Sequence, residues 1–299
     1  MTSTTLPTQP MISASIRTLS WIEAKRFLHR ISVWVGLGVT VLFLLLRSQD
    51  WSGSSYETKA ALAFAPLILG VFVAGVRTGN RDRQGDASPV AEGAPLDASE
   101  RAVARLLGLT VPVGLCIVTV IGVVIASRIE GGYWIGDAPR RTDSAQHPWL
   151  VMLQPPLLVA LAGAAGVAAG RAVRHALTVI IVGGVFLFFA SGLYWAWNTR
   201  PLHTIAVIQI QPMTVDLGPG IVAERLPTNW LADAPGQYDA NWRRQLVHLP
   251  TVAGHNLYLL GLLGVASGLA TRGFWVRRLV IGGLIVAVAG VAFQLAIMP

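Results

Sequence analysis

The chain has 299 residues, of which 53% are hydrophobic and only 13% charged, with a mean hydropathy of +0.57 and a formal net charge of +8. Its apolar residues come in long uncharged blocks, which excludes a soluble globular domain; the blocks lack the alternation of barrel strands, which leaves an all-α polytopic membrane protein. A single cysteine, Cys116, excludes a disulfide framework or a thiolate metal cluster within the chain.

In chain order, the first ten residues, MTSTTLPTQP, are polar, and no small-x-small site follows the first apolar block, where the sequence reads RSQDWSG. That block is expected to be retained as an anchor rather than cleaved as a signal. Residues 12–30, ISASIRTLSWIEAKRFLHR, place Ser20 three residues before Glu23, a capping-box spacing that predicts a helix starting at Trp21. Ile16, Leu19, Ile22 and Phe27 against Arg17, Lys25, Arg26 and Arg30 make this helix amphipathic, suited to lying in the membrane interface.

Seven blocks read as spans: 31–46, 60–76, 106–127, 149–170, 176–197, 251–270 and 279–297, none containing Asp, Glu, Lys or Arg. Pro155 and Pro156 after Gln154 predict a kink or a late helix start in the fourth. Gly166 and Gly170, and likewise Gly264 and Gly268, put small residues four apart, where helices approach closely in lipid. With the N-terminus inside, the inner segments carry 14 Lys plus Arg and 6 acids, and the outer segments 9 and 9. The whole net charge thus falls on one side, as the enrichment of basic residues in cytoplasmic loops requires. Those basic residues are spread over four short segments, not gathered into a nucleic-acid footprint.

The polar segment 198–250 holds six prolines and is too long for a simple connector, so it is expected to be a small folded cap. Trp195 and Trp197 before it mark an interface. Its start, TIAVIQIQPMTVDLG, alternates as a strand or buried extended segment does, and Tyr238 to His248 has helical character. No phosphate-binding loop of the G-x-x-x-x-G-K-[ST] type occurs, and the six histidines show no i, i+4 pair. Only His255, beside Asn256, lies in a span, near its outer end, where it is expected to be solvated or hydrogen-bonded. Uncharged spans disfavour an ion-coupled carrier, so uphill transport would draw its energy from another chain.

The loop between the second and third spans, RDRQGDASPVAEGAPLDASERAVAR (81–105), holds four arginines and five acids. Asp86 or Ser88 can cap a short helix with Pro89 in its first turn, Gly93 can end it and Pro95 stop it, and Asp97 or Ser99 can cap the next. Together with the E-x-[RK] element Glu23-Ala24-Lys25-Arg26 and a large segment before the sixth span, this arrangement resembles the type-2 ABC exporter permeases, the membrane subunits of ATP-binding-cassette transporters. The resemblance covers about residues 15 to 270 and rests on the order of the parts, not on one tight motif.

The resemblance implies a division into 1–30, a cytoplasmic tail with a connecting helix (Glu23, Lys25, Arg26), and 31–297, a transmembrane domain containing a coupling loop at 77–105 and the outer segment 198–250. It implies that Asp86, Ala87, Ser88, Pro89, Val90, Ala91, Glu92 and Gly93 form a coupling helix docking on a separate ABC ATPase subunit. It further implies pairing with a second permease chain, as homo- or heterodimer, in the plasma membrane, with the N-terminus cytoplasmic and no cofactor in this chain. Uncharged spans suit hydrophobic or amphipathic cargo. The family has six spans and an inner C-terminus, from which 279–297 departs by adding a seventh. The alternative is a non-transporting scaffold or assembly protein whose outer segment binds a partner.

Overall fold

In hydrocarbon every backbone amide and carbonyl must pair within its own segment, and uncharged blocks rich in Leu, Val and Ala do so as helices. A computed structural model describes residues 14–46, 55–60, 62–86, 98–135, 142–173, 175, 177–181, 183–185, 202–216, 232–233 and 243–298. The helices α1 (Ala14–Leu28), α2 (Ile31–Leu45), α3 (Ser55–Ala60), α4 (Ala65–Asp86), α5 (Ala98–Gly108) and α6 (Thr110–Ile129) come first. A hairpin of β1 (Tyr133–Ile135) and β2 (Thr142–Ala145) leads to α7 (Trp149–Met152) and α8 (Gln154–Ala172). After the short α9 (Leu202–Ile205), strands β3 (Met213–Asp216), β4 (Ala232–Asp233) and β5 (Arg243–Leu246) form an antiparallel sheet in the order β3-β5-β4. The chain closes with α10 (Leu249–Ala270) and α11 (Phe274–Ile297).

Among the described residues, five stretches are long and apolar enough to cross a membrane: Leu62–Arg81, Ala98–Ile129, Trp149–Ala172, Leu249–Ala270 and Trp275–Ile297. The first expected span is too short alone and qualifies only as a pair, Ser15–Leu28 with Ile31–Leu45, bent by 58°. The fifth, 176–197, lies largely outside the described residues; 177–181 and 183–185 of it are helical. Side chains such as Leu42, Val118, Ile125 and Val288 stand exposed on these helices, as lipid-facing residues do. The protein is an all-α polytopic membrane protein with small β elements between its helices.

Packing rests on the small residues. Helices α4 and α8 run parallel with their backbones in contact: a Cβ on Gly166 would sit 2.4 Å from the Phe72 carbonyl oxygen, and one on Gly170 2.2 Å from that of Val76. Helices α10 and α11 form an antiparallel hairpin through a tight turn at Gly273, whose φ of +71° favours glycine. There a Cβ on Gly261 would lie 2.3 Å from the Ala287 nitrogen. Arg171, at the end of α8, donates to the carbonyl oxygens of Ala270 and Thr271, satisfying the C-terminus of α10 and tying the two helix ends together. The core between these helices includes Phe64, Leu67, Val71, Leu158, Val159 and Leu259, all buried.

Two expectations are corrected, and of one pair of alternatives the structure takes the second. Helix α1 begins at Ala14, not Trp21. Ser20 is inside it, its hydroxyl donating back to the Ile16 carbonyl at 2.7 Å, and Glu23 is engaged elsewhere, so no capping box forms. In the segment Tyr238 to His248, Arg243–Leu246 is a strand, because pairing with β3 outweighs local helical preference. Of the two outcomes expected of the diproline, the late start is the one observed: α7 ends, and Pro155 and Pro156 occupy the first turn of α8, where their missing N–H groups cost nothing.

Candidate functional site

Call the bundle end carrying α1 proximal and the opposite end distal. At the proximal end, Asp86 is the last residue of α4, while Ala87, Ser88, Pro89, Val90, Ala91, Glu92 and Gly93 lie outside the described residues. What is described is the frame on which they hang. Helix α4 continues past its apolar block to Asp86, and α5 returns from Ala98.

Helix α1 joins both legs of that loop. Glu23 points into the junction, where its Oε2 accepts from Arg81 Nη2 of α4 at 2.8 Å and its Oε1 from Arg26. The Glu23 side chain is 3% exposed, against 38% for Arg81 and 47% for Arg26, so the carboxylate is the buried member and the guanidinium groups keep water. On the opposite side α5 meets α1 through Gly108, where a Cβ would come within 2.9 Å of the Glu23 Cβ and 3.2 Å of the Ala24 nitrogen. Ala24 of α1 and Ala102 and Ala104 of α5 are buried as well. Lys25 faces away, its ammonium 5.3 Å from the Trp21 ring centroid. Of Glu23, Lys25 and Arg26, Glu23 is thus the anchor of α1, with Lys25 and Arg26 flanking it at the surface.

The distal end holds two polar groupings. Tyr56 of α3 stacks on His147 with centroids 4.1 Å apart, and Tyr133 lies 5.1 Å from the same imidazole. Lys59 sits 4.3 Å over the Tyr133 ring and 3.9 Å from Glu130. His147 Nε2 donates to the Tyr56 carbonyl oxygen at 2.9 Å, and burial holds its pKa at about 4, so the ring is neutral. Burial and the Glu130 charge push the Tyr133 phenol up to about 12.

The second grouping is built around the largely buried stretch 203–211, in which Ile205 is exposed and which is hydrogen-bonded to α8, α10 and α11. Its amide orientations follow from main-chain anchors. Gln294 Nε2 donates to the carbonyl oxygens of Thr204 and Gly290, at 3.2 and 3.3 Å, which turns its Oε1 toward Gln209 Nε2 at 2.9 Å. Gln209 Nε2 also reaches His203 Nδ1 at 3.2 Å, and so its Oε1 accepts from Gln211 Nε2 at 3.2 Å. His203 Nε2 must then carry the proton it donates to the Ile210 carbonyl, at 3.1 Å, and burial lowers the pKa of this neutral ring. Gln154 Nε2 donates to the Gln209 carbonyl at 3.1 Å, and Asn256 Nδ2 to that of Leu150 at 2.8 Å. The chain of bonds leaves Gln154 Oε1, Gln211 Oε1 and Asn256 Oδ1 without a hydrogen-bond partner among the described residues, while the His255 ring lies against the Val207 backbone.

Of the two states expected for His255, solvation is excluded: the ring is fully buried, with the Tyr258 ring 5.9 Å away. Nor did sequence reading single out Gln154, His203, Gln209, Gln211 or Gln294. The available signal was four glutamines at apolar-flanked positions, two of them in spans and two in the alternating start of 198–250, and one of them the only polar side chain in the sequence VAGVAFQLAI. No family model, curated protein or solved structure matches this chain.

Proposed function

We propose that this chain is the membrane-spanning permease subunit of an ATP-binding-cassette exporter, working with a separate ATPase subunit and a second permease chain. The observation that supports it most is the proximal junction, where α1 is tied to α4 by the Glu23–Arg81 ion pair and to α5 by backbone contact at Gly108. A push on the loop 87–97 is then carried by both legs and by α1 together, and passes into α4, α6 and α2. Rigid elements with close backbone contact transmit displacement, because packed interiors do not deform smoothly.

In this reading 86–93 docks on the ATPase, α1 lies along the cytoplasmic interface of the plasma membrane, and 198–250 is the outer cap. The excess of basic residues at the proximal segments supports that orientation. Six or seven spans follow, and the antiparallel hairpin of α10 and α11 favours seven, since α11 retraces the length of α10. Hydrophobic or amphipathic cargo suits the uncharged spans. The test is reconstitution of the chain with its ATPase in proteoliposomes. ATP-dependent export that is lost when 86–93 is scrambled, with folding retained, is the expected result. Export that survives scrambling, or that follows an ion gradient without ATP, overturns the reading.

A further inference from the structure

The proximal end carries a second feature that neither the loop nor the ion pair uses. The bend of 58° between α1 and α2 places Arg30 at the corner of the two helices, beside the junction at Glu23. Arg30 sits between two contacts with α4, the Glu23–Arg81 ion pair on one side and the approach of Gly70 to the Ser32 carbonyl on the other, a stretch of α4 that includes Arg77; the guanidinium charges of Arg81, Arg77 and Arg26 repel it there and Glu23 attracts it. Arg77 lies one helical turn before Arg81 on α4 and is exposed. Glu23 is already taken by Arg81 and Arg26. Among the described residues this leaves four guanidinium groups around one carboxylate, with Arg30 and Arg77 outside its hydrogen bonds.

Such a cluster needs an anion, and its surroundings say which kind. Ile31, next to Arg30, is 75% exposed, and Trp34, one turn further, is 49% exposed with its indole N–H donating to the Leu28 carbonyl. Trp21 is 60% exposed on α1. Exposed isoleucine and amphipathic indoles beside arginines are what an acyl chain below a headgroup would meet, and guanidinium forks match phosphate oxygens in pairs. We propose that Arg30 and Arg77, at the corner of α1, α2 and α4, bind the phosphate of an anionic membrane phospholipid, with Ile31 and Trp34 against its acyl chains. This inference rests on the membrane reading alone, so it stands or falls separately from transport.

The test is lipid retention by the full chain purified in neutral detergent, titrated with phosphatidylglycerol or phosphatidylcholine and read by native mass spectrometry. Wild type is expected to prefer the anionic lipid. Arg30→Gln with Arg77→Gln should weaken that binding by about thirtyfold, at about a tenfold factor per 1.4 kcal/mol and ~1 kcal/mol per basic residue near the surface. Arg30→Lys with Arg77→Lys should keep part of the preference, and Arg277→Gln, distant in sequence, should keep all of it. Retention of the full preference by the double glutamine variant, with its thermal transition unchanged, overturns the proposal. Displacement of the lipid by millimolar inorganic phosphate also overturns it, because the site would then be one for a free anion.

Discussion

Replacing Glu23 by glutamine keeps the shape of the side chain and removes its charge from a junction that holds three helices. Breaking a fully buried ion pair costs about 3–5 kcal/mol. Here Arg81 and Arg26 are 38% and 47% exposed and can rehydrate, which screens the pair and brings the working figure to about 1–2 kcal/mol. For a chain of this size that corresponds to a fall of roughly 2–4 °C in apparent Tm. The decisive form is a double-mutant cycle of Glu23→Gln and Arg81→Gln, read by reversible denaturation in mixed micelles. A coupling near 1 kcal/mol is expected. Arg26→Gln alone should cost only about 0.3–0.5 kcal/mol, because it is an exposed i, i+3 partner. Additivity of the Glu23 and Arg81 changes to within about 0.3 kcal/mol would refute the junction as an energetic unit.

Three other outcomes follow from the packing and the polar groupings. Gly170→Ala should disrupt the α4–α8 contact, since the added Cβ meets the Val76 carbonyl at 2.2 Å, whereas Gly122→Ala, with nothing within 4 Å, should be neutral or raise Tm; equal losses at both sites in thermal melts would contradict this. Gln209→Leu strips partners from His203, Gln211 and Gln294 at once and should cost about 3 kcal/mol, against about 1 for Gln211→Leu, which orphans only Gln209 Oε1. Equal effects in the same denaturation assay would show that the chain of bonds is not ordered as described. For His147, the unfolded imidazole titrates near 6.5 and the folded one near 4. Between those values only the unfolded chain holds the proton, so stability should fall as pH drops from about 6.5 to about 4, by up to about 3 kcal/mol. His147→Phe should flatten that part of the profile; an unaltered slope would place the titration elsewhere.

Length and hydropathy made the helices legible, because a bilayer leaves an uncharged block no alternative to a helix. Gly166, Gly170, Gly264 and Gly268 were legible for a similar reason: four-residue spacing of small side chains has one main use in lipid. The start of α1 was misread because Ser20 and Glu23 satisfy a local capping pattern, while Arg81, 58 residues away, competes for the carboxylate. Arg243–Leu246 was misread for the same cause, its partner strand lying outside any local window. The buried network was illegible because glutamine is ordinary in loops; only insertion of 203–211 between helices turns Gln209 and Gln294 into mutual partners. Asp86 to Gly93 was chosen from capping signals and resemblance, and of these residues only the backbone of Asp86, ending α4, is described.

The central claim, that 86–93 meets an ATPase, is tested most directly by site-specific cross-linking. The chain holds one native cysteine, Cys116, which is buried, so Cys116→Ala gives a clean background for a single cysteine at Ala91. In native membranes the account predicts a nucleotide-sensitive cross-link from position 91 to a chain identified by mass spectrometry as an ATP-binding cassette, and no such product from a cysteine at Gly122. A cross-link from position 91 to a protein without a nucleotide-binding fold, or equal products from both positions, would contradict it.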